Sequence, residues 1–163
     1  MSVAIDTNIL LDILLNDKDF YNSSKEAIEK YDDLGALIIS PIVYTELLTQ
    51  FIKQFAVSAE QKLDQFLKEL GISLVNFTNK DLIAAAESWN EYIKSIKNKE
   101  IFCISCGEKN SFFCKKCKQK IFWKNHIIAD FLIGSHAQNN ADILLTRDKG
   151  FYKSYFKVKL AEN

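Results

Sequence analysis

Short apolar runs alternate with amphipathic helical stretches along almost the whole chain, and this alternation constrains the fold more than any other feature. Residues 3–5, 36–40, 72–77 and 143–145 read as buried strands, and 158–160 as an edge strand. Helices are predicted between them. The first covers 8–15, the second runs from a cap at Ser23 or Ser24 to Leu34, and the third from Pro41 past Glu46 to Lys53. Ser58 is expected to cap a fourth that ends at Gly71. Further helices are expected over 79–97, with Leu82, Ala86, Trp89 and Ile93 facing inward, over 125–139 and over 151–156. Strands separated by helices predict a parallel sheet covered on both faces.

A chain of 163 residues, 48% hydrophobic and 26% charged, suits one globular domain with a real core, spanning 1–163. Met1 to Ile5 carries no basic or apolar leader pattern, and no apolar run nears the roughly 20 residues that span a bilayer. A soluble, cytoplasmic protein is expected, and in that compartment cysteines serve as metal ligands more readily than as disulfides. Basic and acidic residues number 21 each, so net charge names no partner.

In open α/β sheets, sites form beyond the carboxyl ends of the strands. Asp6 follows the first strand, Glu46 lies early in the helix after the second, and Asp148 follows 143–146. Asp130 interrupts the apolar run 127–133, where an unpaired carboxylate is costly. Arg147 is the only arginine, so these acids lack matching bases. Clustered carboxylates hold protons unless a cation neutralises them, and oxygen-only donors favour Mg²⁺ or Mn²⁺. Taken singly, each acid has a plainer reading: Asp6 as a helix cap, Glu46 as a solvated helix residue, Asp148 as a turn former. Asp142 precedes its strand and is expected at the opposite end of the sheet; Asp12, Asp17 and Asp19 read as surface acids or caps.

Four local sequences resemble the motifs of PIN-domain nucleases. They are Val3-Ala4-Ile5-Asp6-Thr7-Asn8, Ser40-Pro41-Ile42-Val43-Tyr44-Thr45-Glu46, Ala129-Asp130-Phe131-Leu132-Ile133-Gly134, and Leu144-Leu145-Thr146-Arg147-Asp148. The resemblance implies a three-layer α/β/α fold with a parallel sheet of four to five strands. It also implies an Mg²⁺- or Mn²⁺-dependent endoribonuclease similar to VapC toxins, with a small antitoxin and a second copy of the chain as partners. On this resemblance Asp6, Glu46, Asp130 and Asp148 hold the catalytic metal. Asn8 and Thr146 support them, and water attacks the phosphodiester without a covalent intermediate.

Residues 98–124 fall outside that resemblance and read as an insertion. Cys103-x₂-Cys106 and Cys114-x₂-Cys117 form two knuckles suited to a tetrahedral structural Zn²⁺. An iron–sulfur cluster or a disulfide pair is the lesser alternative. From Lys94 to Lys124 nine lysines face Glu100 and Glu108, a net +7, which leaves −7 on the remainder. Lysines among aromatics, Lys115, Lys116 and Lys118 in particular, suit RNA; they equally suit a merely soluble zinc loop. His126 and His136 read as helix-surface or core residues. Two other functions stay open: a non-catalytic RNA- or protein-binding module using the zinc loop, and metal-dependent cleavage of DNA or small phosphoesters.

Overall fold

The computed structural model describes residues 1–97, 101–102, 109–110, 112–121 and 126–162. Its element order is β1 (Ser2–Ile5), α1 (Thr7–Leu14), α2 (Tyr21–Asp32), β2 (Ala36–Ile39), α3 (Pro41–Phe55), α4 (Ala59–Glu69), β3 (Ile72–Leu74) and α5 (Asn79–Lys97). Four two-residue strands follow: β4 (Ile101–Phe102), β5 (Lys109–Asn110), β6 (Phe112–Phe113) and β7 (Lys120–Ile121). Then come α6 (Ile128–Asn140), β8 (Ile143–Leu145), α7 (Lys149–Tyr155) and β9 (Lys159–Leu160).

Five strands form one sheet in the order β3-β2-β1-β8-β9, every pair parallel. The central strands are apolar and buried from Val3 to Ile5 in β1 and from Ile143 to Leu145 in β8, as a sheet covered on both faces requires. Connections from β1 to β2 and from β8 to β9 run in opposite directions across the sheet. Right-handed crossovers then put their helices on opposite faces. The α/β fold and the parallel sheet read from the sequence are both present.

Several boundaries differ from the sequence reading for local reasons. Neither Ser23 nor Ser24 caps α2. The Asp17 carboxylate accepts from the N–H groups of Asp19 and Phe20 ahead of the helix, and Ser24 lies inside it. Ser58 makes no capping bond either; its hydroxyl donates to Phe55 O within a short 3₁₀ turn, Ala56–Ser58. Strand β3 stops at Leu74, because its one partner, β2, ends at Ile39. In α5 Asp81, Ala85, Tyr92 and Ile96 are buried, with Trp89 and Ile93 packed beside them as expected, while Leu82 is 47% exposed and Ala86 is exposed too.

Asp81 is fully buried. Burial pushes its carboxyl up, but donation from Thr78, Asn139 and Asn140 outweighs this and holds it below the usual range. These bonds join the start of α5 to the end of α6, two helices that pack along each other. No helix among the described residues is long and apolar enough to cross a membrane. Of the expected insertion at 98–124, the β4–β5 and β6–β7 pairs are described, whereas Cys103 and Cys106 lie outside the described residues.

Candidate active site

The sheet reverses its winding direction at β1 and β8, and the register Ile5↔Leu145 sets the next residues, Asp6 and Thr146, side by side at the carboxyl edge. Thr146 Oγ1 donates to Asp6 Oδ2 at 2.6 Å, and Asn8 Nδ2 donates to the same oxygen at 2.7 Å. Thr146 Oγ1 also accepts from the N–H of Asp148 at 3.1 Å, which ties the fourth acid to the first. Asp6 stands at the N-cap position of α1 but makes no side-chain capping bond, so its carboxylate is free of that duty.

Ser40 caps α3 by accepting from Val43 N, and the helix then carries Glu46 toward the same edge. The Thr7 hydroxyl donates to Glu46 Oε2. Asp130 sits in the first turn of α6 and accepts from Ile127 N at 2.8 Å. Its side chain keeps 34% of its surface, which corrects the sequence reading: the deeply buried carboxylate is Asp6, 5% exposed, rather than Asp130. Asp148 accepts from Phe151 N, so it caps α7 while still lining the site. Asp6, Glu46, Asp130 and Asp148 together line one cavity of about 450 Å³.

Its electrostatics follow from that convergence. Burial raises the Asp6 carboxyl from 3.8 to about 6, against the pull of the Thr146 hydroxyl and the Thr7 backbone; the charges of Glu46 and Asp130 push it further up. Tyr152 is buried in the same wall as Asp6. Burial and then the negative charges of Asp6, Asp130 and Asp148 hold its phenol far above the usual range.

The donor set is oxygen only and rich in negative charge, which fits a hard divalent cation. Among the described residues no three His, Cys, Asp or Glu side chains close on one point. An ion here would therefore keep water in part of its shell, as Mg²⁺ characteristically does.

Four residues at this site escaped the sequence reading: Thr7, Tyr152, Asp12 and His126. Asp12 is not a surface acid. It is 3% exposed, accepts from the Ser24 hydroxyl at 2.6 Å and pairs with Arg147 Nη2 at 2.9 Å. Arg147 also lies over the Phe20 ring, 4.2 Å from its centroid, and its N–H donates to Asn8. The loop bearing Thr146 and Asp148 is thus moored to α1. His126 Nδ1 lies 3.6 Å from Asp130 Oδ2 and 3.9 Å from Asp148 Oδ2. His136, by contrast, is a core residue bonded to Val75 O. A lone arginine beside the last acid was the available signal for Asp12; no local pattern marked His126.

Away from the cavity, Cys114 and Cys117 bracket the turn between β6 and β7, and neither is in a disulfide. The N–H groups of Cys117 and Lys116 donate to the Cys114 sulfur and hold its thiol below the usual value. Lys118 takes a left-handed conformation, φ 60°, and closes the turn. Lys115, Lys116 and Lys118 are exposed around it.

No curated protein sequence matches the chain. Solved structures do. VapBC-1 from nontypeable Haemophilus influenzae is 15% identical with a TM-score of 0.64, over 99% of this chain and 98% of that one. VapBC2 from Rickettsia felis, bound to a promoter DNA fragment, is 24% identical with a TM-score of 0.59 over the same shares. Mycobacterium tuberculosis VapC20, a sarcin–ricin loop cleaving toxin, is 9% identical with a TM-score of 0.55, over 94% of this chain and 95% of that one. These likenesses establish the fold. A PIN-domain sequence profile matches residues 3–97, more than half the chain and inclusive of Asp6 and Glu46, and the chain therefore belongs to the PIN-domain family.

Proposed function

We propose that the protein is a divalent-metal-dependent endoribonuclease of the VapC kind. The observation that carries this reading is the gathering of Asp6, Glu46, Asp130 and Asp148 from four separate elements around one cavity, with Asp6 buried and its carboxyl raised. A non-catalytic binding module has no use for such a set, which destabilises the fold until a cation joins it.

Bound Mg²⁺ or Mn²⁺ would supply an activated water and stabilise phosphoryl charge. The residues of the chain do the rest. Asn8 and Thr146 fix the Asp6 carboxylate in one orientation, Thr7 holds Glu46, and the buried Tyr152 ring walls the cavity beside them. The Asp12–Arg147 pair keeps Thr146 and Asp148 in place. An antitoxin partner belongs to the same reading, supported by likeness to chains from VapBC assemblies and by exposed Ile52, Phe55 and Val57 near the end of α3.

A structural Zn²⁺ on Cys103, Cys106, Cys114 and Cys117 is part of the proposal. The thiolate-favouring turn at Cys114 supports it.

The test is cleavage of mixed single-stranded RNA, with DNA of the same sequence in parallel, by protein freed of any copurified inhibitor. We expect Mg²⁺- or Mn²⁺-dependent RNA cleavage that EDTA abolishes and Asp130→Asn lowers by at least ~100-fold. Folded protein that cuts neither polymer would replace this reading with the binding module.

A further inference from the structure

His126 stands beside two of the acids that line the cavity, and the nuclease reading leaves it without a task. It comes directly after the cysteine segment in sequence, yet its ring stands against two of the four acids. Resting on the metal-dependent reading above, we propose that His126 is a nitrogen donor to the cation of this site, and that it turns the site toward transition ions over Mg²⁺.

Taken pair by pair the geometry leaves room for an ion; a third donor would have to turn toward it, because no three such side chains among the described residues converge on one point as they stand. An ion about 2.1 Å from each of two donors can sit between them at any separation up to about 4.2 Å. The 3.6 Å and 3.9 Å separations from Nδ1 to Asp130 Oδ2 and Asp148 Oδ2 both fall within that limit.

The ring is also held before any ion arrives. It stacks on Phe151 at 3.9 Å and 16°, and it meets the edge of Tyr92 at 6.0 Å and 76°. The backbone N–H of His126 donates to Tyr92 Oη at 3.2 Å. A ligand whose ring is held by two neighbours and whose backbone is tied to one of them gives up little freedom on binding. Carboxylates alone serve Mg²⁺ well, whereas imidazole is a poor ligand for Mg²⁺ and a good one for first-row transition ions. The competing role for His126 is a cation that merely neutralises Asp130 and Asp148 when no metal is bound.

Electron spin-echo spectroscopy of Mn²⁺ bound to the untagged, full-length protein separates the two. His136 is the only other histidine, 1% exposed and bonded to Val75 O, so imidazole nitrogen coupling is assignable to His126. We expect nitrogen modulation on Mn²⁺, its shift to ¹⁵N frequencies when histidine is labelled in the unsubstituted chain, and its loss in His126→Phe, which keeps a ring against Phe151. His126→Phe should also weaken Mn²⁺ by roughly 10-fold and Mg²⁺ by no more than about 2-fold. Mn²⁺ that binds, is lost in Asp130→Asn and shows no imidazole nitrogen overturns this inference and leaves the metal-dependent nuclease standing. No Mn²⁺ binding at all overturns both.

Discussion

Asp6 carries the largest conflict between stability and use. Two neutral donors satisfy its outer oxygen, but its carboxylate charge is buried beside Glu46 and Asp130. The folded carboxyl ionises near pH 6 and the unfolded one near 3.8. Between those values the folded chain holds a proton that the unfolded chain has released. Stability of the metal-free protein therefore falls as pH rises from about 4 to 6, by up to about 3 kcal/mol, and this group adds no slope above that window. Asp6→Asn keeps an acceptor for Thr146 and removes the charge. We expect it to flatten that slope and to stabilise the metal-free protein by about 1–2 kcal/mol at pH 7 while abolishing cleavage. Urea unfolding in EDTA across pH 4–8 measures this; a variant with the wild-type slope would refute the assignment of the charge to Asp6.

At the scale of elements, sequence periodicity located all five sheet strands and the seven helices of the body, and gave α5 its end points, because 19 residues of 3.6-fold pattern outweigh any one misplaced residue. It misjudged what depends on a distant partner. On the inner face of α5 Trp89 and Ile93 pack on the core as expected but Leu82 and Ala86 do not, since Asp81 and Tyr92 look like surface residues until Thr78, Asn139 and the ring cluster around Phe131 supply their contacts. Asp12 looked solvated because Arg147 lies 135 positions away. Asp6, Glu46 and Asp148 were legible from their places after strands and Asp130 from its apolar surroundings; their shared cavity needed the fold. Gly134 shows the same limit. In the sequence it is a weak point in α6, but a Cβ there would sit inside the Phe156 ring. That ring is 6% exposed and wedged among Phe131, Phe151 and Tyr152, so it cannot swing aside. Alanine would gain about 1 kcal/mol of helix propensity and lose more to overpacking. We expect Gly134→Ala to lower Tm by roughly 3–8 °C, and Phe156→Leu added to it to recover part of the loss. A rise in Tm for Gly134→Ala alone would show that α6 and Phe156 are not in contact.

Charge is distributed over the whole molecule in a way that no single motif reveals. The stretch from Lys94 to Lys124 holds a net +7, and the rest of the chain, which includes the acidic cavity, holds −7. A polyanion is repelled by the cavity without its cation and attracted by the basic segment. On the proposed function, the basic segment would supply affinity and the acids the chemistry. In β6, Phe112 and Phe113 are 52% and 58% exposed, and the turn that follows carries exposed Lys115, Lys116 and Lys118. Phosphates release counterions from such lysines, and unpaired bases stack on such rings. The proposed Zn²⁺ makes this arrangement depend on Cys114 and Cys117. We expect one zinc per chain in the wild type and none in a Cys114→Ser, Cys117→Ser pair. Replacing Lys115, Lys116 and Lys118 by Gln should weaken single-stranded RNA binding by roughly 10-fold or more near 100 mM salt and lower the slope of log affinity against log salt by about 2, since each lost phosphate contact removes about 0.7. The cysteine pair should weaken binding as well, with the α/β core still folded, because its strands and acids lie outside the segment. Fluorescence anisotropy over a salt series, beside elemental analysis, reads all of these. An unchanged salt slope in the lysine variant would assign those residues to solubility alone and move RNA recognition to the cavity rim.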